Sequence, residues 1–184
     1  MEFEKLKIDD LVLCKPKIIE DDRGFFSETF RKDLLEDYIS EKLDFCQHNI
    51  SNSSFGVVRG LHFQTAPKAQ TKLVSVSSGE ILDVVLDIRK DSPSYGKHYS
   101  VILNDINNFQ LLVPKGFAHG FIALSEVAIV NYQVDNYYSP ENEFGINPFD
   151  KALKINWILE KNQIIINSKD KSHKNLSDSP VYKF

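Results

Sequence analysis

Nine short runs rich in Val, Ile, Leu, Phe and Tyr recur along the chain at intervals of about ten residues, and no other feature restricts the fold as much. They cover residues 11–14, 45–50, 57–63, 73–76, 81–88, 99–103, 109–113, 117–124 and 128–134. Turn pairs such as Ser78-Gly79, Ser92-Pro93 and Asn107-Asn108 separate them. Short strands joined by tight turns predict an all-β jelly roll or sandwich, not alternating β and α units. One stretch breaks the rhythm. In 32–42, Leu34, Leu35, Tyr38 and Ile39, with Leu43 beyond, follow a 3.6-residue period behind Asp33 as a candidate cap, which predicts a short N-terminal helix. After Trp157 the periodicity fades, and the polar run 167–179 reads as a loop or a minor C-terminal helical segment lying over the barrel.

No Pro-, Gly- or Ser-rich linker divides the 184 residues, so a single domain, 1–184, is expected. A content of 42% hydrophobic and 26% charged residues suits a chain that folds by itself. The formal net charge of −4 excludes a general binder of nucleic-acid backbones, which concentrates Lys and Arg to displace counterions. The start, Met-Glu-Phe-Glu-Lys, lacks a basic stretch followed by an apolar run, and no apolar segment of about 20 residues is present to span a bilayer. A cytoplasmic protein without a membrane partner is therefore expected. Cys14 and Cys46 show no Cys-x-x-Cys spacing and read as two buried thiols without redox or zinc chemistry.

Two histidines sit where chemistry is possible. In an extended strand, 58–64 places Arg59, Leu61 and Phe63 on one face and Val58, Gly60, His62 and Gln64 on the other. If the second face lines a barrel interior, an imidazole there can exchange protons near neutral pH; otherwise it is structural. The segment Pro114 to Phe121 has Pro-x-Gly-x-x-His spacing, a tight turn followed by a strand that carries His119 inward, and it resembles the second cupin motif. Metal-binding cupins add His-x-His and a glutamate from a first motif. Here Gln64 follows His62 at that spacing and no glutamate occurs between His62 and Glu80, so no metal is expected. Lys72 opens an apolar strand and is either a solvated strand end or a cation aimed into the cavity, able to stabilise an enolate oxygen. Alternation puts Tyr132 on the inner face with Val130, where a phenol donates a proton or satisfies a core hydrogen bond.

Taken in order, these segments resemble the dTDP-4-dehydrorhamnose 3,5-epimerase family from about Leu11 to Asp170. The matching pieces include Asp22-Arg23-Gly24-Phe25-Phe26-x-Glu28, Gln47-His48-Asn49-x-Ser51, Arg59 to Gln64, Gln70-x-Lys72-Leu73-Val74, Asp83-Val84, Asp87-Ile88-Arg89, Pro114 to Phe121, Tyr132, Tyr137-Tyr138 and Ser168-Lys169-Asp170. The resemblance implies a double-stranded β-helix of the cupin type and a homodimer. It also implies a nucleotide-diphosphate 4-keto-6-deoxy sugar as substrate and no cofactor. By similarity His62 is the base, Asp170 pairs with its other ring nitrogen, Lys72 neutralises the enolate oxygen and Tyr132 delivers the proton from the far face. His119 hydrogen-bonds the sugar, Arg23 and Arg59 grip the diphosphate, Glu28, Gln47, Asn49, Glu143 and Lys169 bind substrate, and the nucleobase stacks near Tyr137.

Ser75, Gln133 and Leu112 depart from common family residues at positions that bear on substrate fit. They leave open a different donor, such as a GDP-linked 4-keto-6-deoxy-heptose used in capsule synthesis, and inversion at C3 alone. A keto-isomerase on the same scaffold, or a cupin that binds a sugar nucleotide without turning it over, are the other readings.

Overall fold

The run 81–88 shows how this chain divides its apolar side chains. Ile81 and Val85 face one buried cluster, while Leu82, Val84, Leu86 and Ile88 face a second, so the strand is covered on both sides. A computed structural model describes residues 1–184. Its strands are β1 (Glu2–Lys5), β2 (Val12–Lys15), β3 (Ile18–Asp21), β4 (Gly24–Ser27), β5 (Gln47–Ser54), β6 (Val57–Gln64), β7 (Lys72–Ser78) and β8 (Glu80–Asp87). They continue with β9 (His98–Asn104), β10 (Gln110–Val113), β11 (Phe117–Ala123), β12 (Val127–Val134), β13 (Glu143–Gly145) and β14 (Ile165–Ile166). The α-helices are α1 (Lys32–Ile39) and α2 (Ser168–Lys171). None is long and apolar enough to cross a membrane.

Two sheets face each other in a cupin jelly roll. One has the order β1-β2-β10-β7-β12-β5, the other β13-β6-β11-β8-β9 with β14 parallel beside β6. Leu13, Val74, Val76, Leu111 and Val130 of the first sheet meet Val85, Leu103, Phe117 and Phe121 of the second in the central cluster. The outer face of the second sheet is covered by the chain after residue 145, through Ile146, Leu153 and Trp157. The outer face of the first is covered by α1, where Leu35, with Leu43 just beyond, packs on Val12, Cys14, Leu73 and Leu112. The central strands of each sheet thus keep both faces out of water, at roughly 25 cal/mol per Å² of apolar surface removed, while β1 and the outer face of β5 stay exposed.

The nine expected runs are all strands, with ends shifted by a few residues. Three local features depart from the sequence reading or lie outside it. The helix is shorter than predicted because Ser40 takes φ 58° and ends it, and its N-cap is Arg31, not Asp33, which instead pairs with Arg31 at 2.9 Å. Cys14 is buried, but Cys46 is exposed, one residue before β5. The third concerns β3 and β4, which form a separate two-stranded hairpin that no periodic pattern announced. Its Ile19, Phe25 and Phe26 are 54%, 59% and 68% exposed, so no core holds this hairpin on its own chain.

Candidate active site

A cavity of about 390 Å³ opens between the sheets, walled by inward residues of β5, β6, β7, β11 and β12. Strand alternation explains most of the lining: Gln47, Asn49 and Ser51 share one face of β5, and Tyr132 shares a face of β12 with buried Val130. His119 lies on the same face of β11 as Phe117 and Phe121.

The exception is β6, where Arg59 and His62 both line the cavity although simple alternation sets them on opposite faces. The pairing with β11 shows why. His119 pairs with His62 and Phe121 with Arg59, so three steps on β6 match two on β11 and one extra residue is bulged out. The bulge lies at Gly60, whose φ of +129° favours glycine, opposite Gly120. A Cβ on Gly120 would stand 2.5 Å from the Arg59 carbonyl oxygen, so the two backbones approach as closely as they do only because both positions lack side chains.

His62 Nε2 lies 2.7 Å from Asp170 Oδ1, and the other carboxylate oxygen accepts the Gly60 amide at 3.0 Å. Asp170 is 1% exposed and is delivered by α2, where the Asn167 side chain accepts from its backbone N–H. Burial works against its ionisation, but the hydrogen bonds from His62 and Gly60 outweigh that and hold the carboxyl below its usual range. With Nε2 engaged, His62 has Nδ1 left for the cavity. A second pair stands beside the first: His119 Nε2 lies 2.7 Å from buried Asp83 Oδ2.

Lys72, 8% exposed, donates from Nζ to the His62 carbonyl at 3.2 Å, and burial brings its pKa down to about 8. Burial raises the Tyr132 phenol above its ordinary value, which keeps it protonated at neutrality. At the rim, Arg59 is braced by Ser53 Oγ at 3.0 Å and the Asn52 carbonyl at 3.1 Å. Gln47 donates to Asn49 at 2.8 Å. Glu143 pairs with Lys169 and accepts the Tyr138 hydroxyl at 3.0 Å; burial opposes its charge, yet these contacts keep its carboxyl low.

The cavity therefore gathers His62, Tyr132, Lys72, Asp170, His119, Arg59, Gln47, Asn49 and Glu143 from the expected set. Four others lie elsewhere. Lys169 stands just outside, held by Glu143. Tyr137 is 61% exposed, and Tyr138 takes the lining position, because the main chain around it is fixed by a bond from Gln64 Nε2 to the Tyr137 carbonyl. Arg23 and Glu28 sit in or just after the projecting hairpin, and Arg23 reaches only Asp21. Asp83 and Gln64 had no assigned role in the sequence. Asp83 was nonetheless detectable as an acid on the inward face of an otherwise apolar strand. Gln64, 4% exposed, orients the rim by accepting the Ser139 amide at 2.8 Å, and nothing in its spacing signalled that.

A cavity with an imidazole tied to a carboxylate, a protonated phenol and a buried ammonium can move protons at carbon next to a carbonyl. Comparison with known proteins agrees. A family model described as dTDP-4-dehydrorhamnose 3,5-epimerase matches residues 5–178. A protein of that description from Shigella flexneri is 44% identical over 160 residues, covering 87% of this chain and 88% of its own length. Another, from Methanothermobacter thermautotrophicus, is 44% identical over 181 residues, covering 98% and 97%. A solved dTDP-6-deoxy-D-glucose-3,5-epimerase from Legionella pneumophila, in complex with dTDP-4-keto-L-rhamnose, superposes with a TM-score of 0.94 at 41% identity and covers 100% of this chain and 98% of its own.

Proposed function

Since the chain belongs to the dTDP-4-dehydrorhamnose 3,5-epimerase family, we propose that it converts dTDP-4-dehydro-6-deoxy-D-glucose to dTDP-4-dehydro-L-rhamnose, with His62 as base and Tyr132 as acid. The C4 ketone of such a sugar acidifies the hydrogens on C3 and C5. His62 takes one of them through Nδ1, and Asp170 stabilises the imidazolium that forms. The electron pair left on carbon delocalises onto the C4 oxygen, where the Lys72 ammonium meets it; one such donor is commonly worth roughly 10²–10³ in rate. Tyr132 then protonates the carbon from the opposite face, which inverts it, and the same exchange at the second carbon completes the reaction. His119, fixed by Asp83, hydrogen-bonds the sugar, while Arg59 takes the diphosphate at the rim.

The observation that carries this reading is that the His62–Asp170 pair and the Tyr132 phenol line one cavity with Lys72 on its wall. Incubation in D₂O tests it. Deuterium is expected at both C3 and C5 of the dTDP-linked sugar, and His62→Asn should abolish incorporation while retaining nucleotide binding. Incorporation at C3 alone, or only into a GDP-linked 4-keto-6-deoxy-heptose, would replace this substrate with another; exchange at full rate in His62→Asn would remove the base.

The protein acts as a homodimer in this reading, and the support is the hairpin. Two exposed phenylalanines and an 89%-exposed arginine on a ribbon without a core of its own suit a segment that seats on a second copy. Seated there, Arg23 and Glu28 would serve the other copy's cavity, which accounts for their distance from their own.

A further inference from the structure

Behind the His62–Asp170 pair stands a third group that the reaction does not use. His173, in the turn after α2, directs its Nε2 to 3.7 Å from the same Asp170 Oδ1 that pairs with His62. Its ring lies edge-on to the His62 ring, with centroids 5.6 Å apart. The ring is held against Gly145 of β13, where a Cβ would stand 2.3 Å from Nε2, so this glycine makes the space the imidazole fills. His173 Nε2 is buried and has no hydrogen-bond partner. A buried imidazole nitrogen without a partner is costly, and one aimed at a carboxylate and a second imidazole is arranged as a ligand.

We infer that His62 Nε2, Asp170 Oδ1 and His173 Nε2 form a site for one divalent transition-metal ion, and that its occupation switches the enzyme off. One ligand atom from each of the three residues lies within 4.8 Å of the other two. Zinc bonds nitrogen and oxygen at about 2.0–2.2 Å, so one ion comes within reach of all three once the two rings draw together by roughly 1 Å and the His62–Asp170 contact opens to admit it, and a water completes a tetrahedron. Two imidazoles and a carboxylate suit zinc, cobalt or nickel and exclude magnesium and calcium, which require oxygen. The supporting contacts are in place. The Gly60 amide holds the second Asp170 oxygen at 3.0 Å, and the nearby Lys169 ammonium is neutralised by Glu143 and does not repel the ion.

The chemistry of inhibition follows from the tautomer. The working base carries its proton on Nε2, towards Asp170, and keeps a lone pair on Nδ1. A metal on Nε2 takes that nitrogen's lone pair, and the neutral ring then carries its proton on Nδ1. No proton is gained or lost by the ring, but the nitrogen facing the sugar becomes a donor and can no longer accept hydrogen from carbon. Loss of turnover follows only if His62 is the base, as proposed above, whereas binding of the ion does not depend on it.

Chelator-treated enzyme titrated with Co²⁺ tests both halves, followed by visible absorption and by deuterium exchange into the substrate. One equivalent should give the ligand-field bands of a four-coordinate ion while turnover falls in step, and a chelator should reverse both. Zn²⁺ should displace the Co²⁺ bands and inhibit likewise. His173→Gln and His173→Ala should keep uninhibited turnover and need at least about 100-fold more metal to lose it, since a whole ligand is removed. Absence of bands at one equivalent, or bands retained in both variants, overturns the site. Bands lost in both variants without inhibition of the parent overturn the switch. The metal-free turnover of His62→Asn judges the base assignment separately.

Discussion

Lys72 carries its charge where burial opposes it, and with a pKa brought down to about 8 it becomes neutral just above physiological pH. If its ammonium meets the enolate, kcat should fall as pH rises past about 8, and Lys72→Met should lose roughly 10²–10³ in rate. Stability should move the other way. The folded-state pKa lies below the ordinary 10.5, so between about pH 8 and 10.5 the unfolded chain binds more protons and stability rises with pH. Below pH 8 the buried ammonium costs the fold on the order of 3 kcal/mol, and Lys72→Met should raise Tm at pH 7 while it removes activity. Thermal melts and rate profiles on the same two proteins check this opposition. At this scale the sequence was readable wherever a side chain follows simple alternation, as Lys72, His119 and Tyr132 do. It could not pair His62 with Asp170, which lie 108 positions apart, except through family resemblance.

The strand β6 is where element-level reading failed. Period-two alternation separates Arg59 from His62, and only the register against β11 reveals the extra residue that returns both to the cavity. That bulge depends on the approach of Gly60 to Gly120. Gly120→Ala should cost about 2–3 kcal/mol in urea unfolding and lower kcat/KM, because its methyl meets the Arg59 carbonyl and shifts the strand that bears His62. The nine expected jelly-roll strands were legible because most of their apolar side chains bury in the clusters on the sheet faces, which imposes a pattern, whereas β1, β13 and β14 are too short or too exposed to show one. The hairpin of β3 and β4 was not legible, since its aromatic side chains have no core on their own chain.

Taken as a whole molecule, the protein has nine of its thirteen expected site residues in one cavity, Tyr137 and Lys169 just outside it, and two, Arg23 and Glu28, in or just after a projecting ribbon. If the ribbon serves a second copy, two inactive variants should repair each other. Arg23→Ala mixed with His62→Asn after co-refolding should recover roughly a quarter of parental turnover, because half the dimers are mixed and each of those holds one intact site. No recovery, with dimers confirmed by light scattering, would place Arg23 in its own chain's chemistry or in none. Asp170 has a further consequence at this scale. It rides on the segment that closes over the outside of the second sheet, downstream in the chain of every strand of the double sheet. Removing the residues from 167 onward therefore takes away two side chains that line the cavity, Asn167 and Asp170, and leaves the His62 imidazole without its carboxylate. If His62 is the base, as proposed, a chain shortened before Asp170 keeps the strands of both sheets but lacks the partner that stabilises the protonated ring, so turnover waits on the closing residues.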